Sequence, residues 1–476
     1  MSARWITAAW GLLVVAFVVV VSSLGAGQLS PDLLFQSDAL YLPALFRDVV
    51  QEGGRWVDWR LPPAPYWFPD LLLYFAWNAV LGDFRLAIVA QAATQVALLA
   101  LGGQLVARAI DREAVAPQVA AVAGAAVLLA LYAGGRFDTG IYLLVTAHHF
   151  GVVLGSLFAL AGVLTWARRG ASRGVVAAVV LVCAATAASD AMFGLYFTLP
   201  AAIALLVDRR ARIAAAVAAA SVVGWGLPPL LYLRFRKHGL PWHLQLDEVG
   251  STLAALGRDV LTVSPVALLW CVALAGAVLH LRKRAAVASG YVGLLVLACP
   301  AAMALTGLYD GPTELRYLLA PLFVPLMVGC AAVRARAAAI AMVGAAALLL
   351  VVAARRPGAR LLRYTSPLVA CLDAQGLHGG VSDYWNAKHV TMLSRSGLRV
   401  QQVEPSGRPY HWLNNRTWYV QTPARYDFVL PARLDAALLA GEFGAPSRRI
   451  TCAGEEVWVY GDELDSRARD TFSRWR

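Results

Sequence analysis

The sequence is poor in charged residues: Asp, Glu, Lys and Arg make up 15% of its 476 residues, whereas soluble domains carry about 25%. Hydrophobic residues make up 59%. This balance excludes an ordinary soluble domain and predicts a polytopic membrane protein. The chain also lacks CxxC, HExxH, Walker and GxGxxG patterns, so no common metal, redox or nucleotide motif points to its chemistry.

Acidic residues are the scarcer charged type, with 29 against 41 basic residues and a net charge of +12. Much of the basic excess lies in short Arg-rich loops between apolar runs. Such loops mark the cytoplasmic side of a membrane protein. The orientation of the chain in the membrane therefore explains the positive net charge, and a nucleic-acid partner is not predicted.

Long apolar runs predict eleven membrane spans, some of them short for a helix that crosses the hydrocarbon. The first run shows no clear cleavage site and is expected to remain as a span rather than a signal peptide. The predicted spans are 5–24, 86–107, 118–133, 147–166, 175–189, 191–207, 213–233, 264–281, 286–306, 317–333 and 337–354.

The basic loops alternate with acidic or longer loops, which predicts a cytoplasmic N-terminus and an extracytoplasmic C-terminus. If the apolar stretch 67–81 crossed the membrane, every later basic loop would lie on the extracytoplasmic side. The stretch is therefore expected to lie at the membrane–water interface. The basic residues on the predicted cytoplasmic side are Arg4, Arg108, Arg112, Arg168, Arg169, Arg173, Arg209, Arg210, Arg212, Arg282, Lys283, Arg284, Arg334 and Arg336.

The composition changes after residue 354, which predicts two domains. Residues 1–354 form an all-α membrane domain whose first outer loop, 25–85, carries interfacial helices. Residues 355–476 are richer in polar types and alternate helical with strand-like runs, which predicts a small extracytoplasmic α/β domain. Its two cysteines, Cys371 and Cys452, are candidates for a disulfide in an oxidising compartment.

The first outer loop contains Asp38, just before a predicted amphipathic helix over 39–51. The aromatic and proline-rich stretch that follows is typical of a membrane–water boundary. A carboxylate here has two interpretations. It caps the helix, as Ser37 also could, or it acts as a general base or metal ligand beside a lipid phosphate.

A second candidate is the pair Arg316-Tyr317, in an outer loop that leads into a span. An arginine at the membrane surface can hold a phosphate through two parallel hydrogen bonds. Ordinary anchoring of the span at the interface explains the same pair equally well.

A third candidate is His148-His149, with Asp138 a short distance earlier. Neighbours on a helix point about 100° apart, so the two histidines are not expected to bind one metal ion. One of them can serve as an acid, base or ligand, and the alternative is a polar contact between helices. Asp190, between two short apolar helices, is explained by helix capping.

At these residues the sequence resembles the GT-C superfamily of membrane glycosyltransferases. The resemblance is to the branch with dolichyl-phosphate-mannose–protein mannosyltransferases and the bacterial lipid-A aminoarabinose transferase. The family pattern of an acid, a tyrosine-bearing helix, Gly-Gly and an aromatic-proline stretch is similar to Ser37-Asp38-Ala39-Leu40-Tyr41, Arg47, Gly53-Gly54 and the stretch from Tyr66 to Tyr74. Its R-Y-L-L-P sequence is similar to Arg316-Tyr317-Leu318-Leu319-Ala320-Pro321.

The resemblance implies inverting transfer of a sugar from a polyprenyl-phosphate donor, in a bacterial inner membrane and on its extracytoplasmic face. The acceptor would be an envelope lipid, glycan or protein. Asp38 would be the catalytic base, and Arg316 and Tyr317 would bind the donor phosphate. Where the family has a second acid, this chain has Thr146-Ala147-His148-His149, so a histidine or Asp138 would take its place.

The need for a divalent metal such as Mg²⁺, Mn²⁺ or Zn²⁺ is left open by this departure from the family pattern. Two other functions remain as alternatives. The first is a transporter of lipid or glycan, against which stands the scarcity of charges within the spans. The second is a non-catalytic envelope-assembly protein of the same fold.

Overall fold

The computed structural model describes residues 2–25, 29–230, 244, 246–261, 266–307, 309, 311–354, 364, 366–421 and 425–474. The chain divides into two compact units, each of which is described by itself. The helical unit comprises Met1–Ser30, Pro63–Tyr232 and Arg236–Leu361, and the sheet unit comprises mainly Pro31–Pro62 and Leu362–Arg476. Residues 31–62 of the predicted outer loop 25–85 therefore belong to the same unit as the C-terminal segment, and the rest of that loop belongs to the helical unit.

The α-helices of the helical unit are rich in Ala, Val and Leu, and those of the sheet unit are mostly shorter. In chain order they are α1 (Arg4–Gly25), α2 (Tyr41–Phe46), α3 (Leu72–Leu81), α4 (Phe84–Ile110), α5 (Val115–Ala133), α6 (Phe150–Arg169), α7 (Arg173–Ser189), α8 (Leu199–Val207), α9 (Ala211–Leu230), α10 (Val249–Leu261), α11 (Val266–Ala275), α12 (Ala286–Thr306), α13 (Leu319–Cys330), α14 (Arg336–Ala354), α15 (Pro367–Ala374), α16 (Tyr384–Leu393), α17 (Trp418–Gln421), α18 (Ala436–Phe443) and α19 (Glu463–Arg474).

Seven helices among the described residues are long and apolar enough to cross a membrane: α1, α4, α5, α6, α9, α12 and α14. The chain is thus an integral membrane protein. The other four predicted spans correspond to shorter segments around α7, α8, α11 and α13. The count of eleven stays a prediction, and residues 231–233 and 264–265 of two predicted spans lie outside the described residues.

Helix α5 forms much of the interior of the helical unit and packs against α1, α4 and α14. Most of its residues are buried. Ala and Gly predominate along it, as in Ala120, Ala123 and Gly124, and small side chains let helix backbones approach closely in a membrane.

A tight turn joins α3 to α4. Gly82 ends α3 in the left-handed region with φ of 67°, which glycine adopts without the steric cost of a Cβ. Asp83 then caps α4, and its carboxylate accepts hydrogen bonds from the backbone N–H groups of Arg85 and Leu86, both at 2.9 Å. These two caps provide hydrogen-bond partners for backbone groups at the end of α3 and the start of α4, so no longer loop is needed.

The sheet unit contains a five-stranded mixed sheet of order β3-β2-β5-β7-β6 and a separate antiparallel pair, β1 with β4. Strands β3, β2 and β5 are parallel, and β5, β7 and β6 are antiparallel. The strands are β1 (Trp59–Arg60), β2 (Gly379–Ser382), β3 (Arg399–Gln402), β4 (Asn414–Asn415), β5 (Phe428–Val429), β6 (Arg448–Cys452) and β7 (Glu455–Val459).

A core of apolar and aromatic side chains, among them Tyr419, Tyr426, Trp458 and Phe472, packs under this sheet. A disulfide bond joins Cys371 on α15 to Cys452 at the end of β6, with Cα atoms 5.5 Å apart. It closes a long stretch of chain around the sheet.

The amphipathic surface helix predicted for 39–51 differs from the structure. Helix α2 covers only Tyr41–Phe46, and a π-helical turn, Arg47–Gln51, follows it. All six residues of α2 are buried. The helix packs against α16, so its apolar residues are covered by protein of the same unit and do not lie on a lipid surface.

Candidate functional site

Asp38 belongs to the sheet unit and lies in the turn before α2. The N-cap of α2 is Leu40, so Asp38 does not hold the capping position that its spacing suggested. Its carboxylate instead accepts a hydrogen bond from the hydroxyl of Tyr384. The hydroxyl of Ser37 donates to the carbonyl oxygens of Tyr384 at 2.5 Å and Trp385 at 3.0 Å. These bonds attach the turn to the start of α16.

A buried lysine lies within electrostatic reach of Asp38. Lys388, on α16, is 3% exposed, and its Nζ donates to Oε1 of Gln402 at 2.6 Å. The same Nζ lies 4.7 Å from the ring centre of Tyr384, within the range of a cation–π interaction. Burial lowers the pKa of Lys388 to about 7, and the charge of Asp38 opposes this shift. Asp38 thus lies near an amine that titrates near neutral pH.

In the helical unit, His149 and Asp190 form a buried pair. His149 is the N-cap residue of α6, and Asp190 is the C-cap residue of α7. Nδ1 of His149 lies 2.5 Å from Oδ2 of Asp190, and the two residues are 8% and 1% exposed. Oδ1 of Asp190 accepts from the backbone N–H of Met192 at 2.9 Å. Asp190 therefore caps a turn, as expected, and also orients a histidine.

Because Asp190 engages Nδ1, any chemistry of His149 is directed to Nε2. Two tyrosines flank the imidazole ring. The ring centre of Tyr66 lies 5.6 Å away in an edge-on arrangement, and that of Tyr317 lies 5.2 Å away. His149 and Tyr317, which the sequence singled out separately, are therefore in contact.

Arg316 extends this cluster by one residue along the 3-10 helix Pro312–Leu318. Its guanidinium lies 5.0 Å from the ring centre of Tyr317, and its Nε is 3.3 Å from Oε2 of Glu314. Arg316 is partly exposed, so a ligand anion would compete with Glu314 for the guanidinium.

Asp70 is a further buried carboxylate, in the π-helical turn Trp67–Leu71 that precedes α3. It is 2% exposed and accepts a long hydrogen bond, 3.4 Å, from the backbone N–H of Ala147. Burial raises the pKa of Asp70 to about 7, the bond from Ala147 opposes this rise, and the charge of Asp190 adds to it. A Cβ at Gly151 would overlap the Asp70 carboxylate, so this approach requires glycine.

Three residues of this region adopt left-handed backbone conformations although none is glycine. Their φ angles are 56° at Tyr66, 59° at Ala147 and 62° at His149. Such conformations are uncommon for residues with a Cβ, and they concentrate at functional sites. Ser189 helps to hold the first of them, because its carbonyl accepts from the backbone N–H of Tyr66 at 3.2 Å and its Oγ accepts from the backbone N–H of Phe68 at 3.0 Å.

The other two sequence candidates have different surroundings. Nδ1 of His148 lies 2.8 Å from the carbonyl oxygen of Ala147, and its ring centre is 5.7 Å from that of Tyr142. Asp138 is exposed and begins the 3-10 helix Asp138–Leu143. The structure thus brings His149 together with Tyr317 and gives His148 and Asp138 other positions.

The positions of the side chains show whether protein ligands for a metal ion are clustered. In the part of the chain that the structure describes, no three His, Cys, Asp or Glu side chains are placed to hold one metal ion. The described residues therefore contain no cluster of the three or four protein ligands that a Zn²⁺ site uses, whereas Mg²⁺ is usually held by one or two carboxylates together with water and phosphate oxygens.

Sequence reasoning passed over Asp70 and Tyr66 as functional residues and explained Asp190 by capping alone. A signal was present for both acids. Each is an isolated carboxylate at the edge of an apolar run, where ionisable residues are costly and often functional. What the pattern could not reveal is that Asp190 bonds a histidine 41 positions away along the chain.

Comparisons with known proteins find a similarity at the level of structure and none at the level of sequence. The sequence matches no protein-family model and no characterised protein. Among solved structures, the fold is similar to a cryo-EM structure of the arabinofuranosyltransferase AftD from Mycobacteria, with a TM-score of 0.40 and 16% identity. The alignment covers 98% of this chain and 40% of AftD, so the chain spans less than half of that protein. A likeness at this level establishes neither a family nor an activity.

Proposed function

We propose that the chain is an integral-membrane glycosyltransferase of the GT-C type. In this proposal it moves a sugar from a polyprenyl-phosphate donor to a lipid, glycan or protein of the cell envelope. Transfer takes place with inversion on the extracytoplasmic face of a bacterial inner membrane. The N-terminus is cytoplasmic, and the sheet unit, which contains most of the predicted C-terminal α/β domain 355–476 together with Pro31–Pro62, is extracytoplasmic.

The observation that carries the proposal is the contact of His149 with both Asp190 and Tyr317. Tyr317 belongs to the stretch that resembles the R-Y-L-L-P sequence of the superfamily. His149 stands where the superfamily often has a second acid. Two short motifs, 168 positions apart by their residue numbers (317 − 149), thus meet at one buried polar cluster, as residues of a common site would.

The proposed chemistry is a single displacement at the anomeric carbon. The acceptor oxygen attacks that carbon from the side opposite the phosphate, and the bond between the carbon and the phosphate oxygen breaks. The phosphate leaves with the bonding electrons. The proton of the acceptor hydroxyl passes to the carboxylate of Asp38, the base that the resemblance implies. Assistance of this kind typically contributes about 10²–10⁴ in rate.

Arg316 and Tyr317 are proposed to bind the leaving phosphate, with His149 beside them. An imidazole that carries both ring protons donates Nδ1–H to Asp190 and presents Nε2–H to a phosphate oxygen. Preorganised donors of this kind stabilise charge that develops in the transition state, and loss of one typically costs about 10²–10³ in rate. Because burial raises the pKa of Asp70 to about 7, this carboxyl carries less negative charge at neutral pH than an exposed aspartate would.

The test uses membranes that contain the full chain and a panel of radiolabelled polyprenyl-phosphate sugars with added cell envelope. Donor consumption is followed, since the acceptor is not identified. The variants Asp38→Asn, Arg316→Gln and His149→Gln are each expected to lower turnover by about 10²-fold or more. Glu113→Gln is the matched control, because this acid is exposed and has no proposed role, and it is expected to stay within about threefold of wild type.

The outcomes separate the function from the individual roles. Absence of turnover by the wild type with every donor would overturn the proposed transferase and favour a transporter or an assembly protein. If Asp38→Asn leaves turnover unchanged, Asp38 has no part in the mechanism. Unchanged turnover in both Arg316→Gln and His149→Gln would place the phosphate site elsewhere.

A further inference from the structure

A groove of about 440 Å³ lies between α4, α6 and α7, within the helical unit. Its walls are apolar and include Leu105, Phe158 and Val182. Volumes of this order accommodate part of a hydrocarbon chain, since ligand pockets generally measure about 300–1,000 Å³.

Three arginines line one end of this groove: Arg108 in the last turn of α4, Arg112 two residues after that helix ends and Arg169 at the end of α6. All three are exposed, and no acidic side chain is among the described residues that line the groove. Asp111, between two of these arginines in the sequence, forms an ion pair with Arg334 instead. The end of the groove therefore presents an excess of positive charge.

The ends of α4 and α6 are held together there. Nη1 of Arg168 donates to the carbonyl oxygen of Ala109 at 2.8 Å. This bond satisfies one of the carbonyl groups left open at a helix C-terminus. It also fixes the two helix ends that carry the three arginines.

We propose that this groove binds an anionic phospholipid, with one acyl chain between α6 and α7 and the phosphate at Arg108, Arg112 and Arg169. Arginine suits a phosphate because its planar guanidinium can donate two parallel hydrogen bonds. Basic pockets between membrane helices on the cytoplasmic side typically bind anionic headgroups. The positive-inside rule places this end of the groove on that side.

Basic loops also occur simply because they orient a membrane protein, so positive charge alone does not indicate a lipid-binding site. The second observation is the continuity of the three arginines with an apolar groove. The basic loop Arg282, Lys283 and Arg284 has three exposed cations as well, but these residues do not line this groove. The two loops therefore form a matched pair for the test.

The experiment is native mass spectrometry of the detergent-purified full chain, titrated with dioleoylphosphatidylglycerol or, separately, dioleoylphosphatidylcholine. The phosphatidylglycerol is expected to bind more tightly. The triple variant Arg108→Gln/Arg112→Gln/Arg169→Gln should lose about 100-fold in affinity, from about 1 kcal/mol for each charge. The control Arg282→Gln/Lys283→Gln/Arg284→Gln should change affinity less than about threefold.

A second pair of variants tests the groove without changing charge. Ala178 and Ala177 are neighbouring exposed residues of α7, but only Ala178 lines the groove. Ala178→Trp should fill the space and remove one bound phosphatidylglycerol, whereas Ala177→Trp should leave it. An unchanged melting temperature in detergent verifies that each variant is folded.

Several outcomes would overturn the proposal. Equal losses in the two triple variants would indicate general attraction to surface charge. Equal behaviour of the two tryptophan variants would show that the groove takes no acyl chain. Displacement of the lipid by millimolar inorganic phosphate would point to a site for the free anion. Tighter binding of a polyprenyl phosphate than of phosphatidylglycerol would show that the polyprenyl phosphate is the ligand.

Discussion

Replacing Asp48 by alanine is expected to weaken the attachment of residues Pro31–Pro62 to the rest of the sheet unit. Asp48 is 4% exposed, and its carboxylate accepts three side-chain hydrogen bonds. Oδ2 accepts from Nε1 of Trp59 at 2.6 Å and from Nδ2 of Asn415 at 2.9 Å. Oδ1 accepts from Nε1 of Trp418 at 2.8 Å. Two of these three donors lie in the C-terminal segment.

The magnitude follows from the donors that alanine would leave. Each buried donor without a partner costs about 1–3 kcal/mol, and three of them would cost about 3–9 kcal/mol without relaxation. Entry of water into the space of the carboxylate reduces this, so a loss of about 3–5 kcal/mol is expected. Domains are stable by only about 5–15 kcal/mol. The change would therefore remove a large share of the stability of the unit.

The assay is pulse proteolysis by trypsin across a urea series, on the full chain in lipid nanodiscs. Arg55 reports on the segment, because its side chain is 75% exposed and cleavage there requires only local opening. The matched control is Asp32→Ala, an exposed carboxylate of the same segment that accepts from Tyr364 at 2.8 Å. It should cost less than about 1 kcal/mol. Variants of Asp48 and Asp32 that unfold at the same urea concentration would refute the reasoning.

Two other changes to the sheet unit have expected outcomes in the same assay. Cys371→Ser/Cys452→Ser opens a bond between residues 81 positions apart and should cost about 4.5 kcal/mol by the loop-entropy relation; a loss below about 1 kcal/mol would contradict it. Lys388→Met tests pH dependence: burial lowers the pKa of Lys388 to about 7, so its contribution to stability is present at high pH and is lost as the pH falls through 7. Relative to wild type, this variant should gain about 2–3 kcal/mol between pH 9 and pH 6, and an equal pH dependence of both proteins would contradict the assignment.

Much of the fold can be read from local patterns. The seven long helices lie where the sequence has continuous apolar runs, because a chain in hydrocarbon must satisfy its backbone within each segment. Strands β3, β5, β6 and β7 lie within or overlap the strand-like runs of the sequence, which are 398–403, 426–430, 449–452 and 456–460. Strand β2 (Gly379–Ser382) was missed, since all four of its residues are buried and the run therefore lacks the alternation of a half-exposed strand.

Little of the candidate site can be read in this way. Position and residue type singled out His149 and Tyr317, but nothing local distinguishes His149 from His148, whose ring contacts the carbonyl oxygen of Ala147 and the ring of Tyr142. Asp190 was assigned a capping role, which it has, and its bond to His149 lies outside any local pattern. Asp70 was missed because a single acid after a proline is an ordinary start of a helix.

The sequence by itself determined the class of the molecule: a membrane protein with long apolar helices, basic loops and a polar C-terminal segment. These properties are local, because hydrophobicity and loop charge act through the solvent that each segment meets. Only the tertiary structure decided which polar groups pair, such as Asp38 with Tyr384, 346 positions apart, and His149 with Asp190. Such pairs depend on distances between separate segments, and packing alone sets those distances.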